Sequence, residues 1–279
     1  MTDGAKVVEE VWVFGLLGNP VSHSLSPKMH RAAFEAMGIE AEYVAFPVVN
    51  LEQAVMGIRG LGIRGASVTI PFKEEIMSLL DEVDRIASLI GAVNTLVNDH
   101  GVLTGTNTDW LGLKRALESR ISIRGKRIAI LGAGGAARAA VYGVMAGRGE
   151  PILLNRTPQR AMRAAKDLGC GWAPWEGLGD LKAHILVNAT PIGMFPKSHE
   201  CPVEPELLSQ FHLVVDMVYN PPRTRLLEEA EARGVGTMNG VEMLVQQGAE
   251  QIRIWTGMEP PVQIMRKAVM KALGEGDED

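Results

Sequence analysis

Short runs of apolar and β-branched residues alternate along the chain with segments in which apolar residues recur every three or four positions. The first pattern predicts β-strands and the second predicts amphipathic helices, and their alternation is typical of α/β proteins. In the first hundred residues, the patterns predict strands over 11–16, 42–48, 66–70 and 92–98, with helices near 27–37, 51–59 and 73–90. These elements make one α/β unit.

A second unit begins near Lys126, where each predicted strand is followed directly by one predicted helix. Its apolar runs are RIAILG, PILLN, HILVN and LVVDMV. From Val241 the periodicity predicts two helices, separated by Gly257 and by Pro260 and Pro261, because glycine and proline interrupt helices. The predicted fold class is therefore α/β, with two units and a helical C-terminal segment.

Composition and charge narrow the class of protein. The 279 residues are 46% hydrophobic and 22% charged, which is typical of a folded globular protein. The net charge of −5 gives no general attraction to nucleic acid or to an anionic membrane surface. Residues 1–10 lack a signal-peptide pattern and no apolar run is long enough to span a bilayer, so the expected compartment is the cytoplasm. Cys170 and Cys201 lie far apart without Cys or His partners, so we expect ordinary thiols and no metal.

The second unit opens with the stretch ILGAGGAAR. It places Gly132, Gly134 and Gly135 directly after an apolar strand and at the start of a helix, which is the context of a dinucleotide-binding turn. Glycine there permits a tight turn and a close approach of the backbone to a pyrophosphate, and the helix N-terminus offers unpaired N–H groups. The third glycine of the usual motif is replaced by Ala137, a known variant.

The residues after the next predicted strand indicate which dinucleotide this is. An NAD site presents Asp or Glu to the ribose 2′-hydroxyl at this point, whereas this chain has Asn155, Arg156 and Thr157, followed by Arg160. Two guanidinium groups and a hydroxyl suit a 2′-phosphate. The sequence therefore predicts NADP as the cofactor.

A cluster of small hydroxyls stands near the N-terminus in GNPVSHSLSPKMH. Ser26 followed by Pro27 resembles a helix N-cap with proline at the first helical position, and Gly38 is placed to end that helix. This prediction puts Ser24 and Ser26 at the entrance of a helix, where their hydroxyls could meet an anion.

The motifs, in their order along nearly the whole chain, closely resemble those of the shikimate dehydrogenase family. They are GNPxxHSxSPxxH, VTIPFK, GAVNT, GTNTDWLG, GAGGAAR, NRT, NATPIGM, DMVYNP and MLVQQGA. The resemblance implies a substrate-binding domain over 1–109, a Rossmann NADP-binding domain over 110–240, and helices over 241–279 that pack on the substrate domain. It also implies the reversible, NADPH-dependent reduction of 3-dehydroshikimate to shikimate in the chorismate route to aromatic amino acids.

The same resemblance implies a role for individual residues. Lys73 and Asp109 match the catalytic pair, and Ser24 and Ser26 match the pair that holds the substrate carboxylate. Further positions match substrate contacts, namely Ser67, Thr69, Asn94, Tyr219 and Gln247. Ser67 departs from the asparagine that is common there, and Val241 and Glu242 stand where a further glycine is frequent. The positions that match cofactor contacts are Gly132, Ala133, Gly134, Gly135, Ala136, Asn155, Arg156, Thr157, Arg160, Thr190, Met217 and Gly240.

Three alternatives share part of this pattern. A quinate or dual quinate/shikimate dehydrogenase has the same architecture, but the extra C1 hydroxyl of quinate would press on the region near Ser24. A folate-linked methylene dehydrogenase resembles the two-domain layout without needing HSxSP. A non-catalytic NADPH-sensing protein would be expected to lack Lys73 or Asp109. We expect small-molecule ligands only, no nucleic acid or membrane partner, and a monomer or homodimer.

Overall fold

Within residues 11–275, which the computed structural model describes, the strands form two six-stranded sheets. The expectation of no signal segment in residues 1–10 lies outside the described residues. The first sheet has the order β2-β1-β3-β5-β6-β4 and consists of β1 (Trp12–Gly18), β2 (Ala41–Pro47), β3 (Gly65–Val68), β4 (Glu82–Val83), β5 (Thr95–Asp99) and β6 (Val102–Thr106). β1 is parallel to β2 and to β3, whereas β5 is antiparallel to β3 and to β6, with which it forms a hairpin. Ser67 in β3 therefore lies directly opposite Thr95 in β5.

The second sheet is parallel throughout and has the order β12-β11-β10-β7-β8-β9. Its strands are β7 (Arg127–Leu131), β8 (Glu150–Asn155), β9 (Gly171–Pro174), β10 (Ile185–Asn188), β11 (Leu213–Asp216) and β12 (Gly236–Met238). The chain leaves β7 in one direction and returns to its other side at β10. Such a reversal leaves a crevice at the carboxyl ends of the strands, where ligands bind in doubly wound sheets.

Helices cover both sheets. In the described residues they are α1 (Ser26–Ala36), α2 (Leu51–Gly60), α3 (Arg85–Ile90), α4 (Asp109–Glu118), α5 (Gly135–Ala146), α6 (Pro158–Leu168), α7 (Arg225–Glu231), α8 (Val241–Thr256) and α9 (Val262–Ala272). The two C-terminal helices return to the first sheet, where Val245, Ile252 and Met265 are buried with Phe14 and Tyr43. This confirms the predicted α/β class with a helical C-terminal return. The boundaries at residues 109 and 240 stay a prediction.

The single helix predicted over residues 73–90 is wrong. The chain there forms three pieces: a 3₁₀-helix (Glu75–Leu79), β4 and α3. Asp81 Oδ2 accepts the N–H of Leu103 at 2.7 Å, which holds the extended segment against β6. Asp84 Oδ1 accepts the N–H of Ala87 at 2.6 Å and starts α3. Hydrogen bonds from backbone N–H groups to these two aspartate side chains therefore decide the local structure, against the helix that the periodicity predicts.

The prediction that Ser26 caps α1 is also wrong. Ser26 is the first residue of the helix, and no side-chain capping bond is made at Leu25 before it. Instead, the Ser24 hydroxyl accepts the N–H of Ser26 at 3.3 Å. Pro27 follows, where its missing N–H costs no helical hydrogen bond. The helix entrance is therefore stabilised by Ser24.

The described residues were also compared with what a membrane span, a metal site or a nucleophilic cysteine requires. No helix in residues 11–275 is long and apolar enough to cross a membrane. Among the same residues, no three His, Cys, Asp or Glu side chains are grouped to hold a metal ion. Cys170 and Cys201 are free thiols, and burial raises the pKa of both, so neither has the lowered pKa of a nucleophilic cysteine.

Candidate active site

A cleft lies where the residues that follow β3, β10 and β11 meet the first turns of α8. Every residue predicted to contact the substrate lines it: Ser24, Ser26, Ser67, Thr69, Lys73, Asn94, Asp109, Tyr219 and Gln247. The lining includes many hydroxyl and amide groups. Burial raises the pKa of Tyr219, so its phenol stays protonated and can donate a hydrogen bond.

Lys73 and Asp109 form an ion pair within this cleft. Lys73 Nζ donates to Asp109 Oδ2 at 2.5 Å, and their side chains are 15% and 6% exposed. Asp109 is the first residue of α4, and Lys73 stands in the turn after β3. Gly135 at the start of α5 packs on this turn, and a Cβ there would lie 2.9 Å from Lys73 Cβ. The glycine therefore lets the second unit approach the ion pair closely.

A buried amide holds the carboxylate of that pair. Asn94 Nδ2 donates to Asp109 Oδ1 at 2.8 Å, and it also lies 3.0 Å from Thr108 Oγ1 and 3.3 Å from Gln247 Oε1. Asn94 Oδ1 accepts the backbone N–H of Thr108 at 2.7 Å. A backbone N–H can only donate, so this contact fixes which end of the amide faces Asp109. Both carboxylate oxygens of Asp109 thus have a donor.

The predicted glycine turn joins β7 to α5. Gly132 has φ +120°, which side chains rarely tolerate, and an added Cβ would lie 3.1 Å from Ala189 O. Gly134 precedes the first turn of α5, whose leading N–H groups have no partners within the helix. These features fit the pyrophosphate of a dinucleotide. Of the remaining cofactor candidates, four line the cleft itself: Ala136, Thr190, Met217 and Gly240.

The cationic candidates stand apart from the cleft, at the end of β8 and the start of α6. Arg156, Thr157 and Arg160 are exposed, and Asn155 Nδ2 donates to Thr157 O at 3.1 Å. Neither guanidinium makes an ion pair or hydrogen bond with the residues that the structure describes. Two unpaired cations and a hydroxyl beside a glycine turn fit a ribose 2′-phosphate. The cationic candidates therefore lie outside the cleft that contains Lys73 and Asp109.

The loops that carry Thr190 and Met217 are fixed by a buried carboxylate. Asp216 accepts from Asn188 Nδ2 at 2.9 Å, from Val218 N at 3.0 Å and from Thr224 Oγ1 at 2.7 Å. Asn188 Oδ1 in turn accepts from Thr190 Oγ1 at 2.6 Å. Despite the three donors, burial raises the pKa of Asp216 to about 7.

The comparisons with known proteins agree on one family. Residues 16–96 match the family model for the shikimate dehydrogenase substrate binding domain, and residues 240–270 match that for the shikimate 5′-dehydrogenase C-terminal domain. The shikimate dehydrogenase (NADP(+)) of Methanopyrus kandleri is 47% identical over 289 residues, covering 98% of this chain and 100% of that protein. The chain belongs to the shikimate dehydrogenase family.

Solved members of the shikimate dehydrogenase family share the whole architecture. A shikimate dehydrogenase crystallised with NADP+ is 42% identical with a TM-score of 0.87, covering 94% of this chain and 96% of that one. The enzyme of Thermus thermophilus, in complex with NADP(H) and shikimate, is 39% identical with a TM-score of 0.86. The match covers 94% of this chain and 100% of that one. The predicted two-unit fold is thereby confirmed.

Some cleft residues of this family member are absent from the predicted set. They are His23, Met194, Asn220 and Gln251, all of which line the cleft, and Asp216, which holds its loops. Gln251 follows Gln247 by four residues, so helical spacing puts both on the same face of α8. His23, Met194, Asp216 and Asn220 lie within the motifs GNPxxHSxSPxxH, NATPIGM and DMVYNP, so the sequence marks their segments without singling them out, and for Gln251 the helical spacing is the signal.

The buried Asp216 predicts a specific pH dependence of stability. Its folded pKa of about 7 exceeds the ordinary 3.8, so the protonated carboxyl contributes stability that is complete below about pH 4 and lost as the pH rises through 7. Asp216→Asn cannot ionise, and its amide N–H would donate to Thr224 Oγ1, which donates to the carboxylate in the wild type. Urea unfolding from pH 5 to pH 8 should show the free energy of unfolding of the wild type falling relative to the variant by a few kcal/mol. A constant difference would contradict this.

Proposed function

We propose that this protein catalyses the reversible NADPH-dependent reduction of 3-dehydroshikimate to shikimate, in the chorismate route to aromatic amino acids. The observation that carries the proposal is the Lys73–Asp109 pair at 2.5 Å, set in a cleft whose lining includes many hydroxyls and amides. A polyhydroxylated ring acid needs many paired donors and acceptors, together with one group that can move a proton.

The chain's own chemical task is the transfer of that proton. Reduction of a ketone adds a hydride to carbon and a proton to oxygen. When bound, the nicotinamide of NADPH supplies the hydride. The Lys73 ammonium donates its proton to the ketone oxygen, and in the reverse direction the amine takes the proton back from the hydroxyl. Asp109 holds Lys73 in position and stabilises its charged form, and Asn94 fixes the carboxylate.

The remaining polar groups of the cleft would hold the substrate. Ser24 and Ser26 stand at the start of α1, where hydroxyls can donate to the carboxylate without adding charge. The ring hydroxyls would meet Ser67, Thr69, Asn94, Tyr219 and Gln247. In this proposal, residues 1–109 and 241–279 bind the substrate and residues 110–240 bind NADP(H).

The cofactor would lie along the second sheet. The turn of Gly132, Ala133, Gly134 and Gly135, with Ala136 in the first turn of α5, would hold the pyrophosphate. Arg156, Thr157 and Arg160, beside Asn155, would hold the 2′-phosphate. Thr190, Met217 and Gly240 would lie near the nicotinamide, since they line the cleft that contains Lys73.

The setting of the enzyme is part of the proposal. We propose that it works in the cytoplasm on small molecules alone, as a monomer or homodimer. The net charge of −5 supports the absence of a nucleic-acid or anionic-membrane partner, because it provides no general attraction to either.

The direct test is a panel of initial rates with shikimate or quinate, each with NADP+ or NAD+. We expect kcat/KM for shikimate with NADP+ to exceed each of the other three combinations by about 10-fold or more. NAD+ lacks the charge-assisted contact of the 2′-phosphate, and the extra C1 hydroxyl of quinate would press on the region near Ser24. A kcat/KM for quinate that exceeds that for shikimate would show instead that the enzyme is a quinate/shikimate dehydrogenase of broader specificity. No turnover with any pair would favour a binding protein and overturn the proposal.

The choice of NADP is tested by Arg156→Asp. The change removes a charge-assisted contact with the 2′-phosphate and adds a repulsion, so kcat/KM with NADP+ should fall by about 10-fold or more, while that with NAD+ should fall far less. The matched control is Arg163→Asp, an exposed arginine further along α6. It should leave the ratio of the two efficiencies near that of the wild type. A ratio unmoved by Arg156→Asp would show that NADP is held elsewhere.

A further inference from the structure

The hydroxyl of Ser67 is held by two buried side chains that the proposed reaction does not use. Tyr43 OH donates to Ser67 Oγ at 2.6 Å, and Ser67 Oγ donates to Gln251 Oε1 at 2.8 Å. Tyr43 and Gln251 are fully buried and Ser67 is 5% exposed. Ser67 and Gln251 both line the cleft. The contact joins β3 to α8 across 184 residues of sequence.

The direction of these hydrogen bonds is forced by the backbone. Gln251 Nε2 lies 3.2 Å from Asn94 O and 3.0 Å from Thr95 Oγ1. A carbonyl can only accept, so the NH₂ end of the amide must face Asn94, and the reversed amide would bring two acceptors together. Thr95 Oγ1 donates its own proton to Asn94 Oδ1 at 2.8 Å and therefore accepts from Gln251. The oxygen of Gln251 is thus fixed toward Ser67.

This arrangement decides what Ser67 can offer to a ligand. A hydroxyl has one proton and two lone pairs. The Ser67 proton goes to Gln251, and one lone pair receives the proton of Tyr43. Only one lone pair is left for the cleft. We propose that Gln251 is a specificity-determining positioning residue, which makes Ser67 a pure hydrogen-bond acceptor and so selects a ligand that presents a hydroxyl to it.

The inference rests on the proposed function and adds a constraint to it. The reacting oxygen of the substrate alternates between a hydroxyl, which can donate, and a ketone, which cannot. An acceptor-only Ser67 cannot hold a ketone, so the oxygen it meets must remain a hydroxyl throughout the reaction. In shikimate, that leaves the C4 or the C5 hydroxyl.

The test is to replace each of these hydroxyls by fluorine, which is similar in size but cannot donate. Dissociation constants for shikimate, 4-deoxy-4-fluoroshikimate and 5-deoxy-5-fluoroshikimate would be measured by titration calorimetry. In the wild type, one fluorinated analogue should bind about 10-fold or more weakly than shikimate, because it faces the remaining lone pair of Ser67 with no proton to give.

The decisive variant is Gln251→Met, which is close in length and has no amide oxygen to take the Ser67 proton. Ser67 can then turn its proton toward the cleft, so the discrimination against that analogue should shrink to about threefold or less. The matched control is Gln246→Met on the same helix, whose amide donates to Glu242 Oε1 at 2.8 Å. It should keep the wild-type ratio of dissociation constants. If the role of Gln251 were purely structural, Gln251→Met would weaken the binding of all three ligands equally and leave the ratio of their dissociation constants unchanged.

Ser67→Ala keeps the proposal testable if Gln251→Met fails to fold. With no hydroxyl at this position, the discrimination should vanish. The inference is overturned if neither analogue is discriminated by the wild type, or if the ratio survives Gln251→Met or Ser67→Ala. Absence of shikimate turnover with NADP+ in the wild type would instead overturn the proposed function.

Discussion

The amide of Asn94 is oriented by the main chain, because the N–H of Thr108 donates to Asn94 Oδ1 at 2.7 Å. Asn94 is 2% exposed, and a buried amide in the wrong orientation would leave several polar groups unpaired. Because of that contact, Asn94 Nδ2 faces Asp109 and donates to its Oδ1. The other carboxylate oxygen of Asp109 then accepts from Lys73. Pairs of hydrogen bonds in such networks strengthen one another in a low-dielectric interior. The geometry of the Lys73–Asp109 ion pair therefore depends on the Asn94 amide as well as on the pair itself.

The folding of the first sheet brings these groups together. The β5–β6 hairpin places Asn94, directly before β5, beside Thr108, which follows the end of β6. The return of α8 to this sheet adds Gln247 and Gln251 to the same network. Helix α8 thus packs on the core of the first sheet and also contributes side chains to the cleft. Because the amide side chains are committed to fixed partners, the cleft is preorganised for a ligand with matching hydroxyls.

Much of this could be predicted from the sequence where the signal is local. The glycine turn and Arg156 follow apolar strands at short spacing, so their position relative to one another is readable along the chain. Lys73 and Asp109 carry no such signal, since lone Lys and Asp residues are common at surfaces, and only the resemblance to a family assigns them a role. The contact between Gln251 and Ser67 escapes prediction because the two residues lie 184 positions apart in the sequence and meet only through packing.

The errors in secondary structure have a similar origin. Periodicity over residues 73–90 favours one helix, but Asp81 and Asp84 bond to particular backbone N–H groups and divide the segment. Periodicity alone does not predict β6 either, because its pairing with β5 depends on the intervening turn. At α1, the helix entrance is stabilised by Ser24, two residues earlier than the Ser-Pro pattern indicates.

The central claim, that Asn94 acts on the reaction through Asp109 and Lys73, is tested most directly by a kinetic double-mutant cycle. Lys73→Ala, Asn94→Ala and the double variant would be compared with the wild type in kcat at saturating shikimate and NADP+, with folding checked by circular dichroism. We expect Lys73→Ala to lower kcat by about 100-fold and Asn94→Ala by about 10-fold, with the double variant no slower than Lys73→Ala alone. Losses that multiply in the double variant would show that Asn94 acts independently of the pair and would contradict the account.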